Sequence, residues 1–300
     1  MMAWLKGKMV AVIPLALVAV ASSGLFWSRW VAAASSPALP TGSIQSLWSS
    51  FHWTEVFHDQ FDGTSLDASH WVTCYWWDAH GCTNQANNEL EWYQPGNVVV
   101  KDGYLLLVAK PGAVTAPNAR TYPYTSGMVT TGSDTMGGVP RFAFTYGFVE
   151  VRAWIPSGQG LWPAIWLLPA NQSSSPEIDL MEIIGSQPGI VHMNLHYRNP
   201  DGSAGLDAGQ WAAGSDLSSG WHTFALDWEP DAITWYVDGV ARRKFTDAAR
   251  IPSTPMYLLI NLAVGGDWPG NPSAQTIFPS IFTIDYVQIW QSTHRVHLLP

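Results

Sequence analysis

The sequence has few charged residues, and little positive charge in particular. Charged side chains make up 12% of its 300 residues, about half of the roughly 25% found in an average soluble domain. Lys and Arg total 14 against 23 Asp and Glu, which leaves a net charge of -9. Phosphate backbones are bound mainly through Lys and Arg, so we expect no nucleic-acid partner. Long helical periodicity and internal repeats are also missing, which argues against coiled-coil and repeat architectures.

Cysteine is scarce too, with only Cys74 and Cys82 in the whole chain. The N-terminus has the pattern of an export signal, because two lysines precede an uninterrupted apolar run over residues 9–21. Exported proteins fold in an oxidising environment, so one local disulfide between the two cysteines is the expected state. Two free thiols are the alternative.

The predicted signal peptide covers residues 1–34 and has two small-residue cleavage patterns, at residues 19–21 and 32–34. An uncleaved anchor is the alternative, because residues 9–27 give 19 mostly apolar residues, near the lower limit for spanning a bilayer. A proline and a Ser-Ser-Gly break within this segment favour cleavage. We therefore expect a secreted protein, with membrane contact only if the segment stays uncleaved.

The remainder of the chain is predicted to be one domain. Residues 35–50 are rich in Ser, Pro, Ala and Gly and are interpreted as a linker. No shift in composition large enough to mark a second domain follows, so residues 51–291 are assigned to one domain and residues 292–300 to a tail. Nothing in the sequence indicates an oligomer, and we expect a monomer.

Short alternating runs separated by turn signals dominate this domain. Examples are residues 97–108, which contain Asp102-Gly103, and residues 233–237, which precede Asp238-Gly239. Asp-Gly pairs are typical of tight hairpin turns. Many short strands spaced in this way predict an all-β fold of two packed antiparallel sheets, a sandwich or jelly roll.

Three acids, Glu177, Asp179 and Glu182, fall within six residues of an otherwise apolar strand. Side chains alternate along a regular strand, so Glu182 would face away from the other two. One bulged residue at Leu180-Met181 restores the phase and turns all three acids to one side. A solvated acidic face is the alternative, but such a strand would not need an opposite face as apolar as this one.

The same spacing predicts a distance between the two glutamates. Four ladder steps of about 3.3 Å separate their backbones and each side chain can lean inward by roughly 4 Å, so the carboxyls can approach to about 5–6 Å. A retaining glycosidase needs this separation, since one carboxylate attacks the anomeric carbon and the other acid protonates the leaving oxygen. Crowding of three carboxyls raises the pKa of at least one, as a general acid near neutral pH requires.

Polar and aromatic side chains are predicted beside these acids. His192, Asn194 and His196 alternate on one face of a strand predicted over residues 191–197, where they suit hydrogen bonding to carboxylates or sugar hydroxyls. Two histidines could also be metal ligands, but no third ligand is evident nearby.

Tryptophan is abundant, with 18 residues, which suggests a sugar-binding cleft, although core packing is the alternative for most of them. Trp162 and Trp166 share one face of a predicted strand and would stack on pyranose rings beside the carboxylates. For Trp166 a place in the core is the alternative.

Ten motifs, in order along the domain, resemble those of glycoside hydrolase family 16, and within it the laminarinase-like endo-β-1,3-glucanases. The resemblance covers nearly the whole domain. The motifs are DQFDG at 59–63, NNELEWY at 87–93, YTSG at 124–127, YGFVEVRA at 146–153, GLWPAIWLL at 160–168, EIDLME at 177–182, LHY at 195–197, WYVDG at 235–239, NLAVGGDWPG at 261–270 and DYV at 285–287.

This resemblance implies a β-jelly-roll sandwich with an open substrate cleft on its concave sheet and hydrolysis of internal β-glucan bonds with retention. It implies Glu177 as the nucleophile, Asp179 as its assisting acid and Glu182 as the general acid/base. It further implies substrate contacts at Asn88, Glu89, Arg152, Trp162, His196 and Trp268.

Many members of the family bind a structural calcium ion. The resemblance implies a carboxylate ligand at Asp285 and a backbone carbonyl ligand near Gly103, while Gln60 stands where a further acid often helps. Calcium is therefore an option here, and we expect no cofactor to be required for the reaction.

The sequence thus predicts an endo-β-1,3-glucanase acting on laminarin-type glucan, and it leaves mixed β-1,3/1,4-glucan open as a further substrate. A neutral polysaccharide partner agrees with an acidic protein. Galactan hydrolysis and transglycosylation are rivals with the same mechanism. A non-catalytic glucan-binding module is the rival from another class, although its usual sign, the loss of one catalytic Glu, is absent.

Overall fold

The computed structural model describes residues 53–77 and 82–292. The predicted signal peptide and linker, and nearly all of the predicted tail, lie outside the described residues. Within the described ranges, no helix is long and apolar enough to cross a membrane. The first strand begins at Trp53 and the last ends at Ser292, close to the predicted limits of the domain.

Within these residues the chain forms 18 β-strands and four short 3-10 helices. The helices are Gln85–Asn87, Pro95–Asn97, Leu217–Ser219 and Ala248–Arg250. The strands are β1 (Trp53–Asp59), β2 (Glu91–Tyr93), β3 (Val98–Lys101), β4 (Tyr104–Thr115), β5 (Thr121–Ser126), β6 (Met128–Thr130), β7 (Gly147–Trp154), β8 (Leu161–Pro169), β9 (Glu177–Glu182), β10 (Ile190–His192), β11 (Leu195–Arg198), β12 (Ala204–Asp207), β13 (Gln210–Ala212), β14 (His222–Trp228), β15 (Ile233–Val237), β16 (Val240–Phe245), β17 (Met256–Val264) and β18 (Ser280–Ser292).

The strands form two sheets, as predicted. The ten-stranded sheet has the order β16-β15-β14-β7-β18-β4-β5-β2, with β1 paired to β18 and β3 to β4. The eight-stranded sheet has the order β12-β11-β9-β8-β17-β6, with β10 joining β9 to β13. Pairing is antiparallel except between β2 and β5. This is the all-β jelly-roll sandwich that the sequence predicts.

The inner faces of the two sheets share one hydrophobic core. Val149 and Val151 of β7 enter it from the ten-stranded sheet, and Ile165 and Leu167 of β8 enter it from the eight-stranded sheet. Because side chains alternate along a strand, the residues between these positions point away from the core. The outer face of the eight-stranded sheet therefore receives the polar and aromatic side chains of its central strands.

The predicted hairpin turns are present. Asp102 and Gly103 join β3 to β4 with φ of 55° and 80°, and Asp238 and Gly239 join β15 to β16 with φ of 52° and 70°. Two consecutive positive φ values match the twist of the flanking strands, and Asp and Gly tolerate them better than other residues do. The sequence therefore specifies both turns locally.

Candidate active site

The three predicted acids lie on a bulged strand at the centre of the eight-stranded sheet. β9 is flanked by β8 on one side and by β10 and β11 on the other. Its pairing with β8 shifts by one residue between Asp179 and Met181, so Leu180 is the extra residue. Leu180 and Met181 are both buried in the core, which leaves Glu177, Asp179 and Glu182 for the opposite face. The predicted bulge is confirmed.

Glu182 is held by two neutral donors. Trp162 Nε1 donates to Glu182 Oε1 at 3.2 Å, and Asn194 Nδ2 donates to Glu182 Oε2 at 2.9 Å. Burial, and then the negative charge of Asp179, raise the pKa of Glu182 well above its usual range, while the two donors and the nearby His196 offset part of this effect. A carboxyl with a raised pKa keeps its proton near neutral pH, as a general acid must.

Glu177 and Asp179 share one histidine. His196 Nε2 lies 3.3 Å from Asp179 Oδ2 and 3.6 Å from Glu177 Oε1. Burial, and then the charge of Asp179, raise the pKa of Glu177 well above its usual range. Burial also raises the pKa of Asp179 to about 7. Crowded buried carboxyls resist full ionisation, so we expect the cluster of Glu177, Asp179 and Glu182 to retain at least one proton at neutral pH.

The two carboxyl oxygens of Asp179 are buried, and among the described residues neither has a well-formed hydrogen bond, although His196 Nε2 lies 3.3 Å from Oδ2. A hydrogen bond between two carboxyls forms only when one of them is protonated. Asp179 lies between two glutamates along the strand, so a proton on either neighbour, or on Asp179 itself, supplies the missing bond. The middle acid is therefore placed to pass a proton within the cluster.

The prediction of one continuous strand over residues 191–197 is wrong. The segment divides into β10 (Ile190–His192) and β11 (Leu195–Arg198), and both pair with β9. At the interruption, the main-chain oxygen of Asn194 accepts from Asp179 N at 3.0 Å. The neighbouring strand breaks because it faces the bulge in β9, yet His192, Asn194 and His196 lie on the side of the acids, as predicted.

One aromatic group flanks the Glu182 end of the acids. The rings of Trp162 and Trp268 meet edge to face with centroids 5.1 Å apart, and His192 lies 4.8 Å from Trp268. Trp268 is 44% exposed, so part of its ring is open to solvent. This group could hold the apolar face of a sugar ring beside the predicted general acid.

A second aromatic group flanks the Glu177 end. The Tyr75 and Trp77 rings stack at 4.0 Å, and both rings pack near Trp166. Trp76 Nε1 donates to the Tyr257 hydroxyl at 2.7 Å, and the half-buried Trp166 donates to an asparagine of β17. Trp162 and Trp166 thus share the outer face of β8, as predicted, and each belongs to a different group.

The predicted disulfide between Cys74 and Cys82 is present. It closes the segment that carries Tyr75, Trp76 and Trp77, of which residues 78–81 lie outside the described structure. Sequence reasoning missed these aromatic residues as part of the site. The available signal was a run of three aromatic residues enclosed by the only two cysteines of the chain.

The loop before β2 contains two predicted substrate contacts, Glu89 and Asn88. Glu89 is 3% exposed, and its carboxyl accepts from Asn84 N at 3.2 Å and Asn87 Nδ2 at 2.9 Å. Its carboxyl therefore stabilises its own loop, which argues against the implied substrate contact. Asn88 is exposed, but its amide donates to both carboxyl oxygens of Asp267, which ties this loop to the segment that carries Trp268.

Arg152, another predicted substrate contact, lies far from the acids in the sandwich. Its neighbour Val151 is buried in the core, so Arg152 points outward from β7 of the ten-stranded sheet, on the other side of the core from the acids. There its guanidinium pairs with Asp285 and lies 4.8 Å from the Trp221 ring. The order of strands in the sheets separates Arg152 from the acids, which argues against the implied substrate contact.

The pairing of Asp285 also bears on calcium. Asp285 and Gly103 were the predicted ligand positions, but the guanidinium of Arg152 already neutralises the Asp285 carboxylate. A calcium ion on the same oxygens would lie beside a positive charge. Arg152 therefore competes with the implied calcium ion for the Asp285 carboxylate, and calcium binding stays a prediction.

By distance alone, the active-site acids could also accommodate a cation. Ligand atoms of Glu177, Asp179 and His196 lie within 4.8 Å of one another. Metal binding requires deprotonated carboxylates, whereas burial raises the pKa values of both acids here.

Comparison with known proteins agrees with this site. Residues 70–288 match the model of the glycosyl hydrolases family 16. An endo-1,3-1,4-beta-glycanase, EglC, from Rhizobium meliloti (strain 1021) is 38% identical over 82% of this chain and 53% of its own length. A beta-glucanase from Rhodothermus marinus is 31% identical over 80% of this chain and 86% of its own length. The chain thus spans about half the length of EglC.

Solved structures share the fold. The endo-beta-1,3-glucanase from Pyrococcus furiosus superimposes with a TM-score of 0.70 and 33% sequence identity, over 81% of this chain and 95% of that one. The family model covers most of the described domain, including the bulged strand with its three acids. The chain therefore belongs to the glycosyl hydrolases of family 16.

Proposed function

We propose that the protein is a retaining endo-glycoside hydrolase that cleaves internal β-1,3 bonds of laminarin-type β-glucans. The observation that carries this proposal is the bulge at Leu180, which places Glu177, Asp179 and Glu182 on one face with unequal neighbours. Glu182 accepts from two neutral donors, while Glu177 has a histidine nearby. Two carboxyls in different environments are what a double displacement requires.

In the first step, a carboxylate oxygen of Glu177 attacks the anomeric carbon. As that bond forms, the bond from the anomeric carbon to the glycosidic oxygen breaks, and Glu182 gives its proton to the departing oxygen. The products of the step are a sugar with a free hydroxyl and a glycosyl ester of Glu177. Glu182 is left ionised, and the Trp162 and Asn194 donors stabilise that charge.

In the second step, water replaces the departed sugar. Glu182 takes a proton from water as the water oxygen bonds to the anomeric carbon, and the ester bond to Glu177 breaks. Two inversions give net retention of the β configuration. Glu182 is protonated again and Glu177 is ionised, so the cycle is complete without a cofactor.

Asp179 assists by its position between the two glutamates. With a pKa raised to about 7 by burial, it can hold a proton when the cluster is crowded with charge. A proton shared with Glu177 would leave the nucleophile less charged before substrate binds, and its transfer to Asp179 would free the nucleophile for attack. Asp179 therefore sets how the cluster of three acids divides its protons.

A neutral polysaccharide suits the surface around these acids. Aromatic rings flank both ends of the cluster, and such rings stack on the apolar faces of sugars. The relatives carry names of enzymes for β-1,3-glucans and mixed β-1,3/1,4-glucans, which supports the same substrate class here. We further propose that the chain is exported by its N-terminal segment, consistent with a polymeric substrate outside the cell.

The test is reducing-sugar release from laminarin, barley mixed-linkage glucan, cellulose, agarose and carrageenan. Wild type is compared with Glu177→Gln and Glu182→Gln. Glu150→Gln is the matched control, because Glu150 is a buried glutamate on the outer face of the ten-stranded sheet, where it accepts a hydrogen bond from Tyr286.

We expect wild type and the control to cleave laminarin, and each active-site variant to lose about 10²- to 10⁴-fold in rate. Cleavage of barley glucan would extend the substrate to mixed linkages. Binding of laminarin without cleavage by wild type would contradict the proposal in favour of a binding module. Activity on agarose or carrageenan alone would keep the mechanism and overturn the substrate.

A further inference from the structure

One arginine of the ten-stranded sheet reaches across the sandwich to the strands that hold the acids. Arg243 belongs to β16, at the edge of its sheet. Its Nη1 donates to the Met193 carbonyl at 2.7 Å, and its Nη2 donates to the Asp207 carbonyl at 3.2 Å. The guanidinium also pairs with the Asp207 carboxylate. Met193 lies in the interruption between β10 and β11, and Asp207 ends β12 of the eight-stranded sheet. Arg243 therefore ties the two sheets together at this interruption.

Gly209 makes room for this contact. A Cβ atom at position 209 would lie 2.1 Å from Arg243 Nε, so no other residue fits there without moving the guanidinium. The Gly209 carbonyl accepts from Met193 N at 2.9 Å, and Gly209 N donates to Asn194 Oδ1 at 3.3 Å. The backbone that Arg243 fixes therefore orients the side-chain amide of Asn194.

Asn194 transmits this orientation to the acids. With its oxygen held by Gly209, the amide directs Nδ2 at Glu182 Oε2, 2.9 Å away. Its main-chain oxygen accepts from Asp179 N at 3.0 Å. The same residue thus contacts both the predicted general acid and the backbone of the acid next to the bulge.

A second contact braces the bulge from the ten-stranded sheet. Trp235 is fully buried in the core, and its Nε1 donates to the Asp179 carbonyl at 2.8 Å. The Arg243 guanidinium lies 4.4 Å from the centre of the Trp235 ring. Arg243 therefore contacts the strand interruption directly, at the Met193 carbonyl. It contacts the bulge indirectly, through the indole ring of Trp235.

We propose that Arg243 is a positioning residue for the general acid, acting through Gly209 and Asn194 to hold the donor that binds Glu182. This proposal rests on the proposed function, since it assigns a role within that reaction. Arg243 itself lies outside the cluster of acids and contacts no reacting atom. Its contribution is the fixed geometry of the Asn194 amide when the charge on Glu182 appears and disappears during the cycle.

The charged and titratable groups around Glu182 determine in which direction its pKa should move when Arg243 is replaced. Glu177 and Asp179 face it from its own strand, and His192 and His196 face it from the neighbouring strands. The Asn194 donor lowers the pKa of Glu182, so a displaced donor raises that pKa. A general acid works only while it is protonated, so the basic limb of the pH profile should move to higher pH.

The test compares Arg243→Met with Arg242→Met in the full chain. Arg242 is the adjacent residue of β16 and lies 3.9 Å from the centre of the Trp211 ring, so its variant loses a similar side chain while the hydrogen bonds of Arg243 to Met193 and Asp207 remain. The pH dependence of kcat/KM is measured on laminarin and on a 2,4-dinitrophenyl β-laminaribioside. The dinitrophenolate leaves without a proton, so this substrate does not need the general acid in the first step.

For Arg243→Met we expect a fall of about tenfold in kcat/KM on laminarin and a basic limb about one pH unit higher, the size expected for one lost hydrogen bond to a charged group. The rate on the dinitrophenyl substrate should change less than about twofold, because the acid is not used. Arg242→Met should show neither effect. Arg243→Lys keeps the charge with fewer donors and should shift the limb in the same direction by less, and it carries the test if the Met variant does not fold.

A basic limb unchanged in both Arg243 variants, with wild type active, would overturn this inference alone. Equal losses on both substrates would also overturn it, since they would mark a general structural defect. An inactive wild type would overturn the proposed function, and this inference with it.

Discussion

Both outer faces of the sandwich carry partly buried acids, but the acids have different neighbours. On the ten-stranded sheet, Asp285 pairs with Arg152 and Glu150 accepts from the Tyr286 hydroxyl at 2.7 Å. On the eight-stranded sheet, the described partners of the three clustered acids are an indole, an amide and one shared histidine. Burial raises carboxyl pKa values on both faces, so the difference lies in the neighbours.

This difference distinguishes acids that stabilise the fold from acids that exchange protons. A carboxylate beside a guanidinium has a fixed charge and a fixed partner, and removing either partner costs stability. Clustered carboxyls repel one another and store an energetic cost that the rest of the fold must offset. The outer face of the eight-stranded sheet should therefore respond to mutation in activity, and that of the ten-stranded sheet in stability.

Among the variants that compare the two faces, the largest effect is expected from removing Asp179, the middle acid of the cluster. Asp179→Asn should lower kcat on laminarin by about 10- to 100-fold, because the amide cannot exchange a proton with the two glutamates. The folded-state pKa of about 7 lies above the usual value. Wild type therefore loses stability as pH rises from about 4 to 7, on the order of a few kcal/mol. The variant should lose less over this range, because only Glu177 and Glu182 still carry raised pKa values there.

Thermal unfolding of wild type and Asp179→Asn at pH 4 and pH 8 measures this pH dependence of stability. The variant should gain in unfolding midpoint relative to wild type at pH 8 while losing activity. An Asn variant that loses stability at pH 8 as well would contradict the view that Asp179 is an energetic cost to the fold.

The next largest effect is a loss of stability when the Asp285–Arg152 pair on the ten-stranded sheet is broken. Asp285→Asn leaves the partly buried Arg152 without its carboxylate, so we expect a loss of about 1–2 kcal/mol in unfolding free energy and an unchanged kcat on laminarin. Denaturant titration and initial rates measure the two quantities.

A chelator should leave the unfolding midpoint of wild type unchanged, because Arg152 supplies the positive charge beside Asp285. Destabilisation by EDTA would restore the calcium interpretation.

The smallest effect compares one tryptophan from each face. Trp76→Ala should raise the KM for laminarin roughly 2- to 10-fold, the range expected when one ring contact of about 0.5–1.5 kcal/mol is lost. Trp154, 40% exposed on the ten-stranded sheet, is the control, and Trp154→Ala should leave KM unchanged. Equal increases in both variants would show that sugar binding does not distinguish the two faces.

Local sequence patterns were sufficient for the features that depend on neighbours in the chain. The phase mismatch between Glu177 and Glu182 predicted the bulge, and the Asp-Gly pairs predicted two hairpin turns. Both rest on side-chain alternation and backbone conformation over a few residues. The disulfide was predicted from the export signal and from the two cysteines, which are only eight positions apart.

Local patterns did not reveal the features that depend on how strands and loops pack together. Arg152 and Glu177 belong to different sheets, which no pattern within either strand reveals. Asp285 finds its guanidinium partner 133 residues away in the chain. The interruption between β10 and β11 arises because the strand pairs with the bulge, which is likewise a tertiary effect. Glu89 resembles an exposed polar residue in sequence, and only the packing of its loop buries it.

The central claim is that Glu177 forms the covalent bond to the sugar, and azide rescue tests it most directly. Glu177→Ala is incubated with the 2,4-dinitrophenyl β-laminaribioside and sodium azide, and the anomeric configuration of the product is read by proton NMR. With the carboxylate gone, azide should take its place on the face opposite the leaving group. The account predicts restored turnover with an α-glycosyl azide as product. A β-glycosyl azide, or retaining hydrolysis at the wild-type rate without azide, would contradict it.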